Sequence, residues 1–214
     1  MKFKSMALLM LTMAMPAMAD QVTVNTQGVS LVLDVENGQP AKYLYFGARL
    51  DERDKANLSV TANGRMDVYP AYGLNTPAES ALALRHADGN MSTALVATGY
   101  DSRQEANATV TVIHLKDAVY PVKVDLCYRA YKDVDLIEAW SEITNEEKGT
   151  VTLTTFASAM LPIRRGNVWM SHLSGTWASE GYVNNELLTP GEFVIRNADG
   201  TRNSHTDHAE VMFS

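Results

Sequence analysis

The sequence predicts an all-β chain folded as a large antiparallel β-sandwich. Three observations carry that prediction. Apolar and polar residues alternate with period two along most of the chain, the pattern of half-buried strands. Asn37-Gly38, Asn63-Gly64, Asp88-Gly89 and Asp199-Gly200 lie between or beside these runs and supply the positive φ that tight turns need. Helical signals are scarce.

In chain order the strand candidates open with QVTVNT (21–26), VSLVLDV (29–35) and AKYLYFGARL (41–50). PAESALALRHA (77–87) carries two patterns: Pro77 and Glu79 suit the first turn of a short helix, yet SALALRH alternates as a strand does. The series continues with ATVTVIHLK (108–116), YPVKVDLCYRAY (120–131), DLIEAWSEITN (135–145) and TVTLTTFASAML (150–161). EFVIRN (192–197) and AEVMFS (209–214) close it, and the last strand is expected to be incomplete. Each run is bounded by Gly, Asn, Asp or Pro.

Residues 1–19 read differently. Lys2 and Lys4 precede an apolar run from Met6 to Met15, and Ala17-Met18-Ala19 forms a small-residue cleavage site. These are the parts of a secretory signal, with cleavage expected after Ala19. The apolar run is too short to span a bilayer, so the cleaved product is expected to be exported and free of the membrane. Losing 19 of 214 residues leaves 195, enough for a real core. Losing Lys2 and Lys4 takes the net charge from −7 to −9. With no basic run, nucleic acid is excluded as a partner.

Chemistry-bearing residues are few. The single cysteine, Cys127, excludes an internal disulfide and sits on an alternating run, so it reads as a small buried apolar residue. Tyr69-Pro70-Ala71-Tyr72-Gly73 is a rigid aromatic turn that either packs on a neighbour or presents rings to a ligand. LPIRRGNVWMSHLSGTWASEG (161–181) gathers Trp169, Trp177, Arg164, Arg165, His172 and Glu180. Its tryptophans suit a core, a seam or a sugar platform, and His172 is expected to satisfy a local hydrogen bond. NSHTDHAE places His205, Asp207 and His208 together, but without the third ligand and spacing of a metal site. Asp133/Asp135 and Glu146/Glu147 read as solvated edges. Asn57, Asn90 and Asn107 head sequons, which matter only in a eukaryotic secretory pathway. No cofactor is implied, because nucleophile-elbow, P-loop and GxGxxG signatures are all missing.

Five segments in order, VYPAYG, HADGN, the stretch from Ala108 to Asn145, HLSGTWASEG and RNSHTDH, resemble the N-terminal domain of the family 36 α-galactosidases. The likeness runs from about residue 22 to the end. It implies a supersandwich domain (20–214) that precedes a (β/α)8 catalytic barrel and a small C-terminal β domain. It also implies retaining hydrolysis of terminal α-galactosides by two barrel aspartates, and a homo-oligomeric parent enzyme. A barrel takes about 250 residues, so this chain is expected to be a non-catalytic fragment whose parent handles the sugar. Family members carry a G-D-x-R-like sequence after the Tyr-Pro segment; here Gly73-Leu74-Asn75-Thr76-Pro77 lacks the Asp and the Arg. By the resemblance, Tyr69, Tyr72, Asn75, Trp169, Trp177 and Glu180 are ligand-proximal or barrel-packing positions, and His205 serves the domain seam. The alternative is a free-standing exported lectin-like module that binds galactosides itself.

Overall fold

The computed structural model describes residues 20–58, 66–73, 79–163, 166–196 and 207–214. It falls into two compact units, the first ending at Pro162 and the second running Ile163–Ser214.

The first unit holds one small sheet of β1 (Asp20–Asn25), β2 (Val29–Val35) and β3 (Lys42–Ala48), all antiparallel in sequence order. A four-stranded antiparallel meander follows: β5 (Leu95–Gln104), β6 (Ala108–Asp117), β7 (Val122–Tyr131) and β8 (Ile137–Asn145). A third, two-stranded sheet pairs β4 (Leu82–Arg85) with β9 (Thr152–Phe156). The second unit is one sheet in the order β11-β10-β12, made of β10 (Trp169–Thr176), β11 (Ser179–Leu187) and β12 (Asp207–Phe213). β12 is paired to its end, where Trp169 and Ser214 exchange both backbone hydrogen bonds at 2.9 and 3.0 Å.

Alternation explains the sandwich of the first unit. On β7, Val122, Val124, Leu126, Tyr128 and Ala130 point inward and are buried. They meet Val22, Val24, Leu31, Leu33 and Tyr43 of the small sheet in one core cluster. Between them, Lys123, Asp125, Cys127 and Arg129 belong to the outer face. Cys127 is nonetheless only 4% exposed, since it lies beside Trp140 in the next strand, whose ring carries the Arg129 guanidinium at 5.3 Å. Burial is the main reason its thiol pKa rises to about 11, with Glu142 and Asp125 adding to the shift. The expectation of a buried, unreactive sulfur holds.

Several expectations need correction. Residues 82–85 form a strand, so SALALRH follows its alternation; Pro77 lies outside the described residues. EFVIRN is not a strand: residues 192–196 are irregular, with Phe193 46% and Val194 61% exposed. Alternation without a partner strand to bond to makes no ladder. One short helix, α1 (Glu52–Ala56), was not anticipated; Asp51 caps it by accepting from the Asp54 N–H at 2.8 Å. Strands β5, β10 and β11 were also missed. Asn63-Gly64 and Asp199-Gly200 fall outside the described residues, whereas Gly38 and Gly89 adopt φ of 82° and 92° as their turns require.

The β10–β11 hairpin turns at Trp177-Ala178, and Ala178 has φ 62°. A side chain there costs about 1–2 kcal/mol relative to glycine, partly offset by the greater freedom glycine has when unfolded. Ala178→Gly is therefore expected to stabilise the second unit by about 0.5–1 kcal/mol, read as a rise in its urea midpoint. A lower midpoint would contradict this.

Candidate functional site

Tyr69 and Tyr72 belong to one turn but face opposite environments. Tyr69 is 3% exposed within the core cluster. Its hydroxyl donates to the Ala157 carbonyl at 2.7 Å and lies 3.2 Å from Ser141 Oγ. Burial raises its pKa despite those bonds. The ring thus packs within the domain and is not available to a ligand or a docked surface. Tyr72 is 49% exposed. Its backbone is fixed on both sides: Tyr72 N–H donates to Leu82 O at 2.8 Å, and Thr93 N–H donates to Tyr72 O at 2.9 Å. Asn75, next along the chain, lies outside the described residues.

Behind Tyr72 is a buried polar chain that the sequence reading missed. The His86 side chain has no exposure and that of Glu147 only 7%, and their Nδ1···Oε1 distance is 2.8 Å. His86 Nε2 lies 3.1 Å from Thr93 Oγ1. The second Glu147 oxygen accepts from the Ala87 N–H at 3.1 Å. The imidazole stacks on Tyr120 at 3.6 Å and 9°, and the Tyr120 hydroxyl donates to Asp88 Oδ2 at 2.8 Å. The HADGN segment therefore owes its composition to this cluster. Glu147 is no solvated edge: it is the carboxylate partner of a buried histidine. Asp135 also does structural service, accepting from Thr26 Oγ1 at 2.8 Å and from the Gly28 N–H at 2.6 Å. Those bonds, Gly28 first, hold its carboxyl below the usual range.

Between the two main sheets of the first unit opens a mostly apolar cleft of ≈ 360 Å³. Tyr43, Tyr128 and Met160 line it; Phe46, Leu136 and Leu161, 52%, 52% and 49% exposed, stand among its walls. The Tyr43 hydroxyl donates to Met160 O. A cleft of this kind receives apolar side chains or a small apolar ligand.

In the second unit Trp169 opens β10 and Trp177 stands at the hairpin tip, 48% and 78% exposed. Eight residues of extended strand separate them by about 25 Å, so no single sugar ring touches both. Glu180, exposed, follows Trp177 on β11, and Tyr182 there is 61% exposed. The structure brings Trp177 and Glu180 to one turn and leaves Trp169 at the other end. His172 corrects an expectation: it is 7% exposed, with neither ring nitrogen hydrogen-bonded among the described residues. Its nearest carboxylate oxygen, on Glu186, is 3.9 Å away, and Phe193 meets the ring edge-on at 5.5 Å. Arg164, Arg165 and His205 lie outside the described residues, and among those described no group of three or more His, Cys, Asp or Glu could hold a metal ion. No helix among them is long and apolar enough to cross a membrane.

The outer face of the four-stranded sheet carries a charge ladder. His114 lies between Asp125 (Nδ1, 2.7 Å) and Asp101 (Nε2, 3.0 Å). The bond to Asp125 is the main reason its pKa is raised, with Asp101 assisting. Because the folded state holds this proton more tightly than the unfolded chain, the arrangement stabilises the fold below the ordinary imidazole pKa of about 6.5. That contribution is lost as pH climbs through the higher folded-state pKa. His114→Gln is thus expected to lower the urea midpoint more at pH 5.5 than at pH 9; equal losses would refute the assignment.

These features define a class: an antiparallel β-sandwich domain with an apolar cleft between its sheets. The chain belongs to the glycosyl hydrolase family 36 N-terminal domain family, whose model matches residues 39–214. Among curated proteins it is 26% identical over 147 residues to alpha-galactosidase 2 of Pediococcus pentosaceus, covering 62% of this chain and 20% of that protein. It is 31% identical over 78 residues to a probable alpha-galactosidase C of Aspergillus terreus, covering 36% of this chain and 10% of that protein. Among solved structures it matches the α-galactosidase of Lactobacillus brevis with TM-score 0.76 and 20% identity, over 91% of this chain and 31% of that one. A Geobacillus stearothermophilus α-galactosidase in complex with raffinose gives TM-score 0.76 and 18% identity, over 90% and 31%. At such identities the structural likeness speaks for fold alone. The chain spans about a third of the solved structures' length and a fifth or less of these two curated relatives.

Proposed function

We propose that this chain is the non-catalytic N-terminal domain of an exported α-galactosidase, packing on a catalytic barrel and shaping its sugar site. The observation that carries the reading is the family match over residues 39–214 of a chain built of strands. The parent reaction would be retaining hydrolysis of terminal α-galactosides, which needs two carboxyl groups ~5 Å apart across the scissile bond. By the resemblance both belong to the barrel, so the domain contributes surface and not chemistry. The apolar cleft and its exposed rim supply a face for docking, and Tyr72 and Trp177 supply exposed rings toward the sugar or a neighbouring subunit. The signal-like first nineteen residues support export, and a homo-oligomeric parent follows from the resemblance.

The exposed Trp177 ring favours one other reading, a lectin-like module that binds galactosides unaided. Calorimetric titration of residues 20–214 with galactose, melibiose and raffinose separates the two. Silence, together with no turnover of an aryl α-galactoside, is the expected result. Millimolar or tighter binding would favour the lectin. Release of galactose at an enzyme-like rate would overturn both. A positive test adds the domain in trans to the catalytic portion of the Pediococcus relative made without its own N-terminal domain, where it should restore soluble, active enzyme.

A further inference from the structure

We infer that the Glu147–His86–Thr93 chain is a positioning latch for the exposed Tyr72 ring. The functional weight of that position rests on the reading that Tyr72 faces the sugar-handling part of the parent; the latch itself does not.

The geometry runs outward from the core in one continuous path. Glu147 fixes His86 at 2.8 Å and Ala87 at 3.1 Å, which ties the β8–β9 connection to the turn after β4. His86 Nε2 meets the fully buried Thr93 at 3.1 Å. Thr93 in turn donates its backbone N–H to Tyr72 O. The neighbouring contact is close: a Cβ on Gly73 would lie 2.5 Å from Ser92 Cα, so the backbones of 73 and 92 abut. Tyr72 is consequently held through one carbonyl and one amide, while its ring stays half exposed. If a sandwich interior needed only filling here, an apolar side chain would fill it without the desolvation cost of a buried imidazole and carboxylate. What the polar chain adds is direction. Hydrogen bonds to fixed partners set where Thr93 lies, and thereby where Tyr72 can go.

The test is ¹⁵N relaxation on residues 20–214. In His86→Leu the order parameters of Ala71, Tyr72, Gly73 and Thr93 should fall from about 0.85 to below about 0.6, with β6 and β7 unchanged. His86→Gln, which can keep a hydrogen-bonding atom near the Nε2 position, should restore most of the loss. Should His86→Leu fail to fold, Thr93→Val cuts the same path at its last side-chain link and should give the same local loss. A folded variant with unchanged order parameters at 71–73 overturns the latch, as does a loss spread evenly over β6 and β7. If the local loss occurs but the in-trans complex keeps its KM for raffinose, the latch stands and the sugar-facing reading of Tyr72 falls.

Discussion

Gly73→Ala should destabilise the first unit by about 2–5 kcal/mol. Two independent costs meet at the position. Its φ of 97° lies where a side chain is strained by about 1–2 kcal/mol. The added Cβ would also stand 2.5 Å from the Cα of Ser92 and 2.7 Å from its Cβ, distances real atoms do not adopt. Because Ser92 Cα is backbone, relief requires moving the main chain that Thr93 anchors, and forced shifts of this kind cost about 1–3 kcal/mol. Gly38→Ala offers the control: a similar φ of 82° with nothing within 4 Å, so it should show the strain alone. Urea unfolding of the two variants separates the terms. Equal midpoints would mean the Ser92 contact yields freely.

Leu33→Ala should cost about 3–4 kcal/mol. Leu33 is fully buried on β2, directly in the cluster that joins the small sheet to the meander. Truncation removes apolar contact and leaves a cavity that strands held by ladders on both sides, β1 and β3, cannot close over. Trp140 lies in the first unit and the other two of the chain's three tryptophans in the second. Fluorescence of a background carrying Trp169→Phe and Trp177→Phe therefore follows the relevant transition. A loss below about 1 kcal/mol would mean the sandwich repacks.

β7 was legible because VKVDLCYRAY alternates without interruption and its inward set is apolar at every position. β10 and β11 were not, since WMSHLSGT and SEGYVNNEL are polar on both faces and broken by glycine. β5 hides similarly: Gly99 sits at an irregularity in the β5–β6 register and shifts the alternation midway. EFVIRN erred the other way, showing the pattern without acquiring a partner. At the candidate site, Tyr72 and Trp177 are exposed, whereas Tyr69 is interior. His86 and Glu147 are 61 residues apart, and neither carries any local mark of the other. Long-range pairs of this kind are fixed by topology, which residue types along one strand do not reveal.

Cys127 has a practical consequence. As the chain's single thiol, shielded at mid-strand and with its proton held to about pH 11, it cannot meet a maleimide or a disulfide reagent while β7 is intact. In an oxidising compartment the molecule should therefore escape covalent dimers. In the laboratory the same sulfur becomes a clock, for each alkylation event records one opening of the meander.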